Sequence, residues 1–352
     1  MNYPGIYAVI RGSKKWEGEK ILRDTIYSSE FIEISVKGRN SEWEIGDALS
    51  LFYEGFVINI EEITAELSMP ENDKPIEVIR KIYREQGIDR LSGMLDGFFN
   101  MILVDHMQKK IFLINDRHGA RPFYWMEQKG DFYLASNPLF FLLAKDTAFT
   151  FDEQVLGQYL KFLHPFDEDT LLRGVKRYPP GTITCWGQNG YVKKSYFQYQ
   201  FESPDRRSFD QWVDEAENFF ESAVLRCARA ILKNGKIALP LTAGLDSRHI
   251  LGVLVRNNLV PASVLHICQD PYECGIVRDM ARHYDTDLIE LPFPPLNVRE
   301  AARIWLENSG GLLNFHQFVF LALSYSHNRP AEDSVFLDGY ILGITLGSNH
   351  LP

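Results

Sequence analysis

Near residue 200 the apolar residues of this 352-residue chain change their period, and that change constrains the fold more than any single motif. Before it, short runs such as GIYAVI, FIEISV, DALSLFYEGFVI, FFNMILVD, KIFLIND, DFYLAS and GTITCW alternate apolar and polar residues and are parted by Gly, Pro, Asn and Asp. That pattern predicts several strands with antiparallel pairing. Two stretches in this half carry helical spacing. One is KPIEVIRKIYREQG, where Ile76, Val78, Ile79 and Ile82 recur before Gly87, and the other is DEQVLGQYLKFL, with an acidic first turn. After the change, SPDRRSFDQWVDEAENFFESAVLRCARAILKNG predicts a long amphipathic helix ending at Asn234-Gly235. Strand and helix then alternate, the signature of a parallel sheet. The expected fold class is α/β, with residues 1–200 a sheet-rich α+β domain, residues 208–352 a parallel-sheet domain, and FQYQFESPDRR near residues 197–207 the linker.

Composition sets the outer limits. A chain 45% hydrophobic and 24% charged can bury a sizeable core, and its length suits two domains. Thirty-seven basic against forty-seven acidic residues leave a net charge of -10 with no long basic block, so nucleic acid is not an expected partner. The opening MNYPGIYAVIRGSKKWEGEK reads as no leader, and FHQFVFLALSY, the most apolar stretch, contains Gln317 and falls short of the roughly 18–20 residues of a membrane span. Cysteines 185, 227, 268 and 274 show no CxxC spacing, so neither a disulfide framework nor a zinc site is expected and a reducing cytoplasm fits.

The stretch KIALPLTAGLDSRHILGVLVRN reads as strand, small loop, helix. Its turn falls at the carboxyl end of a strand, where open α/β sheets bind ligands. Thr242, Ala243 and Gly244 are small enough for their backbone N–H groups to approach an anion, and the helix start adds partial positive charge. Asp246 suits such a place if Mg²⁺ bridges it to phosphate oxygens, which implies Mg-ATP. A Walker loop is excluded, because GxxxxGK[ST] is absent. The same residues also make an ordinary helix start: Asp and Ser are favoured N-caps, and Gly in such a turn needs no ligand. Local chemistry leaves both readings open. Arg248 can pair with oxyanions. His249, His266 and His316 stand on apolar stretches and read as packed or solvent-facing rather than catalytic, while Glu273 reads equally as a nucleotide-facing or a solvated residue.

TAGLDS resembles the SGGLDS pyrophosphate loop of the asparagine synthetase family of ATP pyrophosphatases, with Thr for Ser and Ala for Gly. The first half resembles the glutamine amidotransferase domain that precedes that loop. MLDGFFNMILVDHMQKKIFLINDRHGARPFYW follows the pattern LxGxFAxxxxD and then DRxGxxPLYY, and TLLRGVKRYPPGTI resembles TLFxGVxxLPPGH. The resemblance implies an α/β/β/α amidotransferase-like (Ntn-type) sandwich followed by an adenine-nucleotide α-hydrolase-like domain. It further implies that Thr242, Ala243, Gly244, Asp246 and Ser247 hold pyrophosphate and Mg²⁺, with Leu241 near adenine and Ile267 flanking the base.

Three departures from the family pattern carry their own expectations. Glutamine hydrolysis in that family needs an N-terminal Cys, whereas here Pro4 takes the Cys place and no Cys occurs before Cys185. Glu54 replaces the Asn that would stabilise the oxyanion, and Asp96 in the glutamine-binding place reads as structural. In LDGYILGITLGSN, the counterpart of SGEGxDExFGGY, Tyr340 and Gly343 stand where carboxylates are expected, while Asp338 and Gly339 remain near the nucleotide. The sequence stops at Pro352, where family members continue through a helical region. Expected, then, is an AMP-forming amide ligase using ATP and Mg²⁺ on a small-molecule carboxylate or peptide, with ammonia or an amine as nitrogen source. The alternative is a catalytically inactive nucleotide-binding or interaction protein. Either allows a homodimer or a partner chain supplying the missing region.

Overall fold

The computed structural model describes residues 5–11, 26–37, 41–70, 74–143, 150–188, 190–200, 207–233, 235–268, 270–291, 297–309, 331 and 333–339. The chain divides into two compact units, Met1–Gln200 with Trp305–Asn314, and Phe201–Ile304 with Phe315–Pro352.

The first unit runs β1 (Gly5–Ile10), β2 (Tyr27–Ser28), β3 (Ile32–Lys37), β4 (Ser41–Glu44), β5 (Leu49–Val57), α1 (Ile60–Glu66), α2 (Pro75–Met94), β6 (Gly97–Asp105), β7 (Lys110–Asn115), β8 (Tyr124–Gln128) and β9 (Asp131–Ala135). A short 3-10 helix (Pro138–Leu143), α3 (Glu153–Phe162), β10 (Lys176–Arg177), β11 (Thr182–Gly187) and β12 (Gly190–Ser195) complete it. The strands form two antiparallel six-stranded sheets, ordered β10-β8-β9-β1-β3-β2 and β12-β11-β7-β6-β5-β4.

Period-two alternation explains how they stack. Ile6, Ala8, Ile10, Ile32 and Ile34 of one sheet meet Phe52, Ile102, Val104 and Leu113 of the other. The intervening Tyr7 and Val9 turn the opposite way, onto Phe141 of the 3-10 helix. Leu51, Tyr53, Met101 and Leu103 cover the outer face of the second sheet with Ile76, Ile79 and Ile82 of α2 and Ile60 and Ile63 of α1. Helix, sheet, sheet and short helix are thus four layers, as the resemblance implies. One boundary differs from the sequence expectation. α2 does not end at Gly87, whose φ of 78° and ψ of -178° break the helical path before it resumes to Met94.

The second unit opens with α4 (Phe209–Leu232), started by a reciprocal Ser208–Gln211 capping box. β13 (Lys236–Pro240), α5 (Leu245–Arg256), β14 (Ser263–Ile267), α6 (Pro271–His283), β15 (Asp287–Leu291), α7 (Val298–Ser309) and β16 (Ser334–Phe336) follow. The four strands are parallel and ordered β15-β14-β13-β16. Ile237, Leu239 and Val264 pack on Val224, Ala228 and Ile231 of α4, Ile250 and Leu254 of α5, and Val277 of α6. Ala238 and Leu265 face the other side with Leu291.

A disulfide joins Cys268 to Cys274, which corrects the expectation that no cysteine pairing is present. The turn from β14 into α6 reverses the chain within those six residues, bringing the two Cα atoms to 5.5 Å. Spacing rules built on CxxC do not detect that geometry. Among the described residues no helix is long and apolar enough to cross a membrane.

Candidate functional site

The order β15-β14-β13-β16 places the first strand of the second unit between its second and its last, so chain direction across the sheet reverses at β13. Open parallel sheets bind ligands at such a reversal, at the carboxyl ends of the strands. The segment Leu241–Gly244 leaves β13 at that point, and Gly244, with extended backbone, is the N-cap of α5. Neither Asp246 nor Ser247 caps the helix, so the ordinary helix-start reading of those two residues does not hold. Buried Ser247 instead turns back into the loop, where its Oγ accepts from the Thr242 N–H at 3.0 Å and lies 3.2 Å from Thr242 Oγ1.

The loop amides are held by side-chain oxygens. Thr242 Oγ1 accepts from the Gly244 N–H at 3.1 Å, and Glu273, in the first turn of α6, accepts from the Ala243 N–H at 3.1 Å. Three successive N–H groups therefore face oxygen acceptors, one of them a carboxylate, at the start of a twelve-residue helix. This is chemistry that phosphate oxygens can share. Half-buried Asp246, in the first turn, has no hydrogen-bond partner among the described residues. Its carboxylate thus remains open to a hard cation. Arg248, one turn on and exposed, donates from Nε to the Gly244 carbonyl at 3.1 Å. The loop and Asp246 fit a Mg²⁺-bound polyphosphate: small residues, amide donors, one available carboxylate and a guanidinium.

Other predicted residues gather at the same edge. Buried Leu241 donates its N–H to Leu265 O at 2.8 Å, extending the ladder between β13 and β14, and Ile267 is the half-buried last residue of β14. On the other flank, the N–H of Leu337 bonds Ala238 O at 3.0 Å, so exposed Asp338 and buried Gly339 leave β16 beside β13. Pro4, Tyr340, Gly343 and His316 lie outside the described residues. His249 is exposed and stacks on Phe220 at 4.2 Å between ring centroids.

In the first unit a second polar cluster lies at the start of β1. Glu54, on β5, is fully buried. Its Oε1 accepts from Asn100 Nδ2 at 2.7 Å and Ser136 Oγ at 2.6 Å, with Arg121 Nε 3.9 Å away. Glu54 Oε2 has no partner among the described residues and would lie 3.3 Å from a Cβ added at Gly5. A carboxylate oxygen thus stands where β1 begins, next to the position that Pro4 occupies in sequence. The Asn100 amide orientation follows from its neighbours, since Nδ2 faces both Glu54 Oε1 and the Pro122 carbonyl. Breaking this cluster from one side leaves a buried charge without its donor. Asn100→Ala is expected to cost about 3 kcal/mol in urea unfolding, while Glu54→Gln, which removes the charge itself, costs less than about 1 kcal/mol. Equal losses would contradict the burial of a charged Glu54.

Asp96 is half-buried, and its backbone N–H bonds Asn59 Oδ1 at 2.9 Å. Sequence reading missed Asp116. Fully buried, it accepts from the N–H groups of His118, Ala120 and Arg121, each at 3.0 Å, and so shapes the DRHGARP turn. Its signal was present as an Asp opening a Gly- and Pro-containing turn. Cys185, half-buried on β11, is no substitute nucleophile, because burial pushes its thiol up from the ordinary range.

Comparison with known proteins bears on the first unit. Residues 42–197 match the glutamine amidotransferase domain family. Asparagine synthetase [glutamine-hydrolyzing] 3 of Bacillus subtilis is 24% identical over 213 residues, covering 59% of this chain and 34% of its own length. The asparagine synthetase [glutamine-hydrolyzing] of Gallus gallus is 34% identical over 77 residues, 22% of this chain and 14% of that protein. The chain thus spans about a third or less of the length of these relatives. Among solved structures, a glutamine phosphoribosylpyrophosphate amidotransferase from B. subtilis aligns with a TM-score of 0.36 and 12% identity, over 74% of this chain and 59% of that one.

Proposed function

The N-terminal region of this chain is a glutamine amidotransferase-like domain related to asparagine synthetases, and from that premise we propose that the chain is an ATP-dependent, AMP-forming amide ligase without glutaminase activity. The observation that carries the ligase reading is the convergence of Leu241–Ser247, Ile267 and Asp338–Gly339 at the carboxyl edge of three neighbouring parallel strands. In this reading the amides of Thr242, Ala243 and Gly244 hold the pyrophosphate end of ATP, Asp246 holds Mg²⁺, and Leu241 and Ile267 flank the base. Ser247 orders the loop through Thr242, and Arg248 adds positive charge at the rim. Bound Mg²⁺ would offset phosphate charge while a carboxylate, from a small molecule or peptide, is activated for attack by ammonia or an amine.

Loss of glutaminase activity rests on separate residues. Pro4 offers no thiol, and Glu54 places a carboxylate where negative charge would develop on the amide oxygen, opposing the stabilisation that such a reaction needs. The test is pyrophosphate–ATP exchange with Mg²⁺ across a panel of carboxylates, run beside a glutamate-release assay on glutamine. Expected are exchange with at least one carboxylate and no glutamate above background. Glutamate release would overturn the second claim. Mg-ATP binding without exchange across a broad panel favours instead a nucleotide-binding protein without turnover, the reading suggested by Tyr340 and Gly343 in place of carboxylates.

A further inference from the structure

His266 is buried on β14, 3% exposed. Its Nδ1 lies 2.9 Å from the Leu241 carbonyl oxygen, which can only accept, so Nδ1 carries the proton and Nε2 keeps a lone pair. Nε2 has no hydrogen-bond partner among the described residues. Cys268 follows just past the end of β14, and buried Cys274 sits in the first turn of α6. A ring nitrogen of His266 and the two sulfurs lie within 4.8 Å of one another, and Nε2 is the nitrogen left for coordination. Two sulfurs and one imidazole are a donor set for a borderline-soft divalent cation, Zn²⁺ first among them. The Nδ1–H bond to a backbone carbonyl is the kind of outer partner that fixes the tautomer of a metal-binding histidine.

We propose that His266, Cys268 and Cys274 form a thiol-gated zinc site, closed while the two cysteines are joined and able to hold one Zn²⁺ once they are reduced. A dithiol reductant supplies two electrons and two protons. The S–S bond breaks to two thiols as the reductant becomes a cyclic disulfide. Zinc binding then releases both thiol protons to solvent. Two thiolates, one neutral imidazole and Zn²⁺ sum to zero charge, which suits a buried place, and a fourth coordination position remains for water. The site adjoins the 241–247 loop through the His266–Leu241 bond and through Glu273, the neighbour of Cys274. It does not depend on what that loop binds.

The experiment uses the full chain, reduced and then freed of reductant without oxygen, and Co²⁺ as a spectroscopic probe. One equivalent of Co²⁺ is expected to produce near-ultraviolet thiolate-to-metal absorption and strong visible bands of tetrahedral type, all displaced by one equivalent of Zn²⁺. The oxidised chain shows none of these. Cys268→Ser lowers affinity at least about 100-fold, whereas a Cys185→Ser/Cys227→Ser double variant binds as the parent does. If Cys268→Ser does not fold by circular dichroism, alkylation of the reduced parent chain decides. One equivalent of Zn²⁺ should protect Cys268 and Cys274 while leaving Cys185 and Cys227 unaffected. Absence of the thiolate band in the reduced chain, a band lost only in the double variant, or alkylation of Cys268 and Cys274 at equal rates with and without zinc overturns the proposal.

Discussion

Replacing Asp246 by Ala is expected to lower affinity for Mg-ATP at least about 100-fold, a loss of roughly 2.8 kcal/mol, and to abolish any pyrophosphate exchange. The fold should tolerate the change. Asp246 has no hydrogen-bond partner among the described residues, and its service to α5 is the favourable placement of a negative charge at a helix start, about 0.3–1 kcal/mol at most. A ligand-binding loss much larger than the stability loss would therefore report a contact with the ligand. Titration calorimetry in Mg²⁺ and in EDTA gives the sharper measurement. In the parent chain the two affinities should differ widely, and in Asp246→Ala their ratio should fall toward one. Unchanged Mg-ATP affinity in the variant would defeat the phosphate-loop assignment for both the ligase and the turnover-free reading.

That assignment shows how far residue pattern reaches. Strand, small loop and helix are legible in KIALPLTAGLDSRHIL because period and residue size decide them locally. The identity of the N-cap is not. Asp and Ser are the favoured choices, yet Gly244 takes the position and Ser247 bonds backward to Thr242, since the loop is closed by its own hydroxyls. Glu273 illustrates a second limit. Its bond to the Ala243 N–H joins two turns thirty residues apart, which only the parallel pairing of β13 with β14 brings together.

The first unit repeats the lesson on a larger scale. Alternation identifies β1 and β9 as strands, but nothing in GIYAVI names DFYLAS as its neighbour, with Ala8 opposite Leu134. Glu54 in LFYEGFVIN reads as the polar residue of a solvated face. It is sealed because both faces of its sheet are covered, by the other sheet and by α1 and α2. A resemblance to a family supplied the layer order that alternation alone does not encode. It could not supply the Cys268–Cys274 pairing, which arises from the local reversal between β14 and α6.

The largest stability effect is expected where two backbones approach too closely for any side chain. Gly55 on β5 has φ of 108°, and a Cβ built there would stand 1.9 Å from the Phe98 carbonyl oxygen. Gly97 on β6, with φ of 152°, would bring its own Cβ to 2.1 Å from the Phe56 oxygen. The two glycines flank the facing pair Phe56 and Phe98 almost symmetrically, with Gly55 opposite Phe99 and Val57 opposite Gly97. Alanine at position 55 must therefore part the central strands of a sheet whose both faces are packed, besides adopting a backbone region disfavoured for L residues. Gly55→Ala should cost at least about 4 kcal/mol, a large share of the roughly 5–15 kcal/mol that holds a typical domain together. Gly130, in the two-residue β8–β9 turn with φ of 83°, provides the control, because a Cβ there meets nothing within 4 Å. Gly130→Ala bears only the conformational cost, about 1 kcal/mol. Urea unfolding followed by circular dichroism, with limited proteolysis to locate the weakened unit, separates the two. A Gly55→Ala chain with the parental midpoint would show that β5 and β6 do not approach as closely as this pairing requires.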